Sequence, residues 1–403
     1  MIVAREYLQP LLTFITVTVL VAFSSPAFAI PFTFDARSLG MGGTSAATAD
    51  LGTAAWANPA MLTNQPVEDD WSLLIGLGVF VRDDDKMIDD IDDFQDADER
   101  REEADNPIDA ARATLEMRQI IDEIEDKAIA PEATALIALG IAFESFAMAV
   151  SVRADAIAGG VVTNLSCNIT EPGCDPGELF SDEFNILNVD GVLTTEFGVS
   201  FARDFEIWDR KLSVGIKPKI VEIDVFSESE SILTIDSDYD FAEDQANKKN
   251  EGTFETIDLG FAMDVTDSIR LGLNLRNLIT DDFQVFEQTL SFDTEARLGI
   301  AYHDDAIVLA MDVDLTENEP LLPNETFGGL RTQYVMLGAE FHKWRYIKFR
   351  LGARKNVASD ISSGAEDIIY TAGVGFWLGF NLDISAIYND HTAGVFLQTG
   401  FQF

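Results

Sequence analysis

The chain has 403 residues and carries 27 Lys and Arg against 70 Asp and Glu, a formal net charge of −43. That balance excludes nucleic-acid binding, which needs a basic patch against phosphate. The hydrophobic share of 47%, with 29 Phe, is too apolar for a solvating acidic chain.

The chain opens on a secretory leader. Arg5 precedes the apolar run Leu11–Phe23, and Ala27-Phe28-Ala29 forms an A-x-A cleavage site, so residues 1–29 are expected to be removed. The run is shorter than the roughly 20 residues a membrane-spanning helix needs. A mature chain from Ile30 is long for one packed core and suits one large barrel.

Residues 30–64 are different in kind. The stretch Asp35–Leu62, DARSLGMGGTSAATADLGTAAWANPAML, is small, glycine-rich and almost uncharged. Gly40, Gly42 and Gly43 permit left-handed or close-approach backbone. Pro59 drives Asn58 towards extended geometry, so Asn58-Pro59-Ala60 reads as a fixed corner. The stretch packs inside something else, or is an ordinary N-terminal loop. It is not a dinucleotide loop: Ser45 stands where the third glycine is needed, and no strand precedes it.

DARSLGMGGTSAATAD followed by AAWANPAML, and then QPVEDDWSLLIGLGVFVRDDDKMIDDIDDFQDADE, resembles the FadL-like superfamily of outer-membrane proteins. The resemblance is closer still to its branch of conjugal-transfer TraF-type barrels. It is most specific over Asp35–Glu99. It implies a bacterial host and an N-terminal hatch folded inside a 14-stranded barrel.

Residues 65–403 are the expected barrel, and from Trp71 onwards their dominant period is two. Ile269, Leu271, Leu273 and Leu275 interleave with Arg270, Gly272, Asn274 and Arg276. Ile347, Phe349 and Leu351 interleave with Lys348, Arg350 and Gly352. A soluble sheet must cover its apolar face, whereas a membrane barrel turns that face to lipid. The expected fold is therefore all-β: a transmembrane antiparallel β-barrel of about 14 strands. The strands are expected near 71–81, 135–144, 146–157, 190–205, 211–226, 254–265, 269–278, 292–302, 306–315, 333–343, 346–354, 367–378, 381–389 and 394–403.

The connections support this independently. Long ones (82–134, 158–189, 227–253, 279–291, 316–332, 355–366) alternate with short ones, as external loops alternate with periplasmic turns. Only Asp390–Ala393 is short for its side. An even strand number puts both termini at the periplasmic end. Trp71, Trp208, Trp344, Tyr346 and Tyr388 fall near strand ends, where aromatic girdles belong.

The insertion 82–134 reads as an acidic helical hairpin in the first external loop. Asp83–Asp126 holds nineteen acidic and five basic residues. Met87, Ile91 and Phe94 share one helical face, and Met117, Ile120, Ile121 and Ile124 form a second stripe. Asn106 caps and Pro107 opens the second helix. The hairpin packs its seam on itself or on the barrel rim, or offers a docking surface. In the next loops, Cys167 and Cys174 read as one local disulfide. The aspartates of 227–250 lack the pattern of a calcium loop.

The terminal segment GVFLQTGFQF ends on alternating Phe401 and Phe403, which resembles the signal read by the barrel-assembly machinery. His303, His342 and His391 stand at no metal-ligand spacing, and no nucleophile motif is present. The sequence thus points to no enzyme, metal or cofactor. By parity, Glu196, Lys217, Lys219, Asp258, Asp264, Arg270, Arg276, Glu295, Arg297, Asp312, Asp314, Glu340, Lys348, Arg350 and Arg354 face the lumen. They are expected to pair across strands and to hydrogen-bond the small segment.

Two functions follow, both for a barrel in the bacterial outer membrane, in contact with its lipid. One is transport of a small hydrophobic ligand past the hatch. The other is a structural role with secretion or conjugation components, through the acidic loops.

Overall fold

The computed structural model describes residues 35–64, 70–83, 86–124, 127–166, 179, 181, 183–233, 250–279, 282–285, 288–291, 294–318, 331–344, 346–359 and 368–402. Cys167, Cys174, Phe403 and the leader lie outside them.

Fourteen antiparallel strands close into one barrel. They are β1 (Trp71–Asp83), β2 (Ala128–Ala142), β3 (Ala147–Thr163), β4 (Ile186–Ile207), β5 (Arg210–Ser231), β6 (Asn250–Asp264), β7 (Ile269–Arg276), β10 (Glu295–His303), β11 (Ile307–Asp314), β12 (Tyr334–Trp344), β13 (Ile347–Asn356), β14 (Ile369–Trp377), β15 (Asn381–Tyr388) and β16 (Thr392–Gln402). Each pairs with its chain neighbours, and β1 closes on β16 with Leu73 opposite Phe401. The connection between β7 and β10, expected to be a loop, instead holds a small hairpin of β8 (Asp282–Val285) and β9 (Gln288–Ser291).

The alternation has the physical basis the sequence suggested. On β1, Ile75, Leu77 and Val79 are exposed while Ser72, Leu74, Gly76 and Gly78 are buried. The exposed series continues through Phe197, Ile216, Leu298, Met311, Leu337, Leu351 and Leu397. Such an apolar band is stable against lipid. Trp71, Trp208, Trp344 and Tyr346 are exposed at the short-turn end. At the opposite end Tyr388 pairs with Tyr370, a girdle residue that the sequence reading missed.

The wall is uneven in height. β4 and β5 are 22 residues long, against 8 for β7, β11 and β15. A tilted strand needs about 9–11 residues to cross a bilayer, so β4 and β5 project well beyond it at the long-loop end. The sequence placed the start of β2 seven residues late and shortened β3–β5. Beyond the bilayer a strand no longer needs one lipid face, so strict alternation fades.

Two helices occupy the first long connection, α3 (Met87–Glu102) and α4 (Pro107–Ile124), after α1 and α2 described below. Asn106 caps α4 by accepting from Ile108 N at 3.1 Å and Asp109 N at 3.0 Å. Met87, Phe94, Met117, Ile121 and Ile124 are buried together with Val162, Leu179 and Ile232. The seam of the hairpin therefore packs on itself and on the projecting wall at once.

Candidate functional site

The site is the lumen and the segment that runs through it. Residues 35–64 form α1 (Ala36–Gly40), α2 (Ala54–Ala57) and a 3-10 turn (Pro59–Thr63), all almost wholly buried. Asp35 starts α1 with a capping box, accepting from Arg37 N and Ser38 N while Ser38 Oγ accepts from Asp35 N. Burial pushes the Asp35 carboxyl above the usual range, against the Ser38 backbone bond. Gly42 and Gly43 have φ of 74° and 97° and turn the chain after α1.

Asn58 is extended, as its following proline requires, and is fully buried. Its amide donates to Ala46 O at 2.7 Å and Phe261 O at 3.2 Å, and its carbonyl accepts from Ala60 N at 3.1 Å. One side chain thus ties two turns of the segment to β6.

The segment lies on the wall at bare places. Gly338 and Gly352 are cross-strand partners under Met41–Gly42; Gly272 and Gly299 are partners under Ala46; Gly215 and Gly260 are partners under Asn58–Ala60. A methyl group on Gly352 would lie 2.1 Å from Gly42 N, one on Gly272 2.0 Å from Ala46 O, and one on Gly215 2.3 Å from Ala60 N. Three glycine pairs therefore admit backbone against backbone.

Polar contacts fix the register. Ala36 N donates to Gln398 Oε1 at 3.0 Å, and Gly42 N to Thr371 Oγ1 at 2.9 Å. Asp312 Oδ2 accepts from Ser45 N at 2.7 Å and Ala46 N at 2.9 Å. Arg37 donates through Nε and Nη2 to the two oxygens of Glu340, at 3.0 and 3.1 Å. Burial alone would lower the Arg37 pKa, but Glu340 outweighs it and raises it. Glu340 also takes Arg350 at 2.7 Å, and Arg350 binds Asp383 at 2.5 Å. The sequence reading treated the segment as uncharged and missed this clamp. Arg37→Met should weaken docking by about 1.5–3 kcal/mol, the usual worth of a charged hydrogen-bonded contact. The check is faster protease cleavage of the segment in the folded protein, an effect that Arg37→Lys should show only in part because a single ammonium cannot replace the fork.

Most inward charges do not touch the segment. On β5, β6, β7 and β10 the charged positions follow the seat glycine towards the long-loop end. They are Lys217 and Lys219, Asp258, Arg276, and Arg297 and Glu295. Glu196 pairs with Lys217 and with Lys219 (2.8 Å), Lys219 with Asp258 (3.0 Å), Arg276 with Glu295 (3.3 Å), and Arg297 with Asp314 (2.6 Å). Arg153 and Asp155, which the sequence reading omitted, pair at 2.6 Å. These ten groups, five of each sign, are at most 6% exposed. Arg270 pairs with Asp264 near the short-turn end, where Lys348 is half-buried, and Arg354 stacks over Tyr334 at 4.9 Å. Of the two roles expected of the lumen charges, pairing across strands is the commoner, and bonding to the segment falls to a few, Glu340, Asp312 and Arg297. The charges chiefly satisfy one another, since a buried charge without a partner is costly.

The rest of the wall carries an apolar strip among polar residues such as Thr371, Ser385 and Gln398. Leu74, Leu136, Ile387 and Phe396 form one buried cluster with Leu39, Leu51 and Leu62 of the segment, and half-buried Phe80 and Ile369 pack against it. Phe80 and Phe396 lie 6.5 Å apart, and the Phe396 ring sits over Gly76 and Gly78. This strip runs along β14, β15, β16, β1 and β2. Among the described residues no group of acidic, His or Cys side chains has the geometry to hold a metal ion.

A family model described as "F plasmid transfer operon, TraF, protein" matches residues 55–314, more than half of the chain. The chain belongs to this TraF family. The fold of this TraF-family protein is that of the FadL-like outer-membrane barrels. It is similar to a TodX monoaromatic hydrocarbon channel mutant, with a TM-score of 0.58 and 12% identity over 92% of this chain and 99% of that one. The Ralstonia pickettii toluene transporter TbuX gives 0.55 and 13% over 92% and 99%. A Pseudomonas aeruginosa FadL homologue gives 0.51 and 10% over 93% and 98%. At these identities the likeness is one of fold. No curated protein matches the sequence.

Proposed function

We propose that this TraF-family barrel resides in the bacterial outer membrane, after cleavage at Ala29, and passes a small hydrophobic molecule along its lumen, with residues 30–64 acting as a hatch. The observation that carries the reading is the apolar strip of Leu74, Phe80, Leu136, Ile369, Ile387 and Phe396. An axial route elsewhere meets buried ion pairs, which offer an apolar molecule nothing. The strip is continuous with Leu39 and Leu51, so movement of the segment uncovers it. Similar folds include proteins named as toluene transporters, which supports the class of cargo by analogy.

The test is initial uptake of radiolabelled toluene by cells with and without the protein. Uptake should fall several-fold without it, and Phe396→Asp should reproduce the loss while the barrel still shows heat-modifiable mobility. Equal initial rates in the two strains would defeat the reading. The rival structural role has less support, because the main apolar seam of α3 and α4 is already spent on the barrel.

A further inference from the structure

We infer that the barrel has a second closure, independent of the N-terminal segment: the buried ion-pair layer of β3–β11 shuts the lumen to ions by itself. Charged side chains lining an open aqueous pore are wetted, whereas Lys217, Glu295 and Arg297 are at most 1% exposed with the segment docked, and each pairs with another wall residue. The layer also crosses the lumen and does more than coat one wall. Arg276 on β7 lies 3.7 Å from Glu196 on β4, three strands round the barrel. The pairs are made between wall residues, so they persist when the segment leaves. Arg297 of the layer reaches the segment through a long bond from Nη1 to Gly43 O, 3.4 Å. Equal numbers of each sign leave no net repulsion to force the layer open. Displacing the segment would then uncover the apolar strip without opening an ion leak. This inference does not depend on the identity of any cargo.

The experiment is single-channel conductance in planar bilayers of the full chain carrying Gly272→Val and Gly352→Val, with displacement of the segment verified by protease cleavage. It is compared with the same chain carrying also Arg276→Ala and Glu295→Ala, a change that keeps the layer neutral. The seat variant should remain closed, and the combined variant should show discrete steps at least about tenfold larger than any residual current, as removal of a charged constriction implies. Lys219→Ala with Asp258→Ala serves as a second neutral pair should the first fail to assemble. Full steps from the seat variant alone would overturn the inference. So would a folded combined variant that never opens, because the closure would then lie elsewhere.

Discussion

Valine at Gly352 should drive the N-terminal segment off the wall while the barrel stays intact. Residue 352 lies beneath Met41 and Gly42, where a Cβ would meet Gly42 N at 2.1 Å and the Met41 carbonyl carbon at 2.4 Å. Both are backbone atoms, and Thr371, the cross-strand neighbour of Gly352, tethers Gly42 N to the same stretch of wall, so neither can swing aside as a side-chain tip would. Overpacking of this kind costs about 1–3 kcal/mol, and at the upper value the docked-to-undocked ratio falls roughly 100-fold. Gly352→Ala already carries the offending atom, so it should act in the same direction, with valine adding more. The outward face and strand register are untouched, so heat-modifiable mobility should be unchanged. The measurement is the rate at which an added protease cuts within residues 35–64 of detergent-solubilised barrel. A rate equal to that of the parent protein would mean that the glycine pairs are not what seats the segment.

Glu196→Gln should cost the barrel about 3–5 kcal/mol, the range for removing one partner from a buried ion pair. Glu196 binds Lys217 and Lys219 and lies 3.7 Å from Arg276. Lys219 keeps Asp258 and Arg276 keeps Glu295, so the uncompensated charge falls on Lys217, which is 1% exposed. Lys217→Met in the same chain should restore most of the loss, because a buried ion pair replaced by packed apolar atoms is often nearly neutral. Equilibrium unfolding in urea, in detergent, checks both. A loss below about 1 kcal/mol would place Lys217 in contact with water, and would also count against a dry ion-pair layer.

The barrel was legible because lipid imposes a rule that sequence records directly. Every strand needs one apolar face, and residues such as Leu271 and Leu273 supply it. Long and short connections then set the sidedness. The inward charges were legible by the same parity, Lys217 and Lys219 among them. Arg153 and Asp155 sat at the same parity on β3, so the signal was present, although the surrounding alanines obscured it. Asn58-Pro59 was legible as a corner because proline restricts its predecessor, but that the Asn58 amide ties Ala46 to Phe261 was not.

By itself the sequence determined which face of each strand meets lipid, which end carries the loops and which stretch was too small and glycine-rich to be a wall. Only the tertiary structure decided what meets inside. The three glycine pairs exist because closure brings Gly338 beside Gly352, Gly272 beside Gly299 and Gly215 beside Gly260. Ala36 reaches Gln398 across 362 positions of chain. Such contacts depend on the stagger and curvature of the closed wall. A period of two is silent on both, since it fixes the face a residue takes and not the residue it faces.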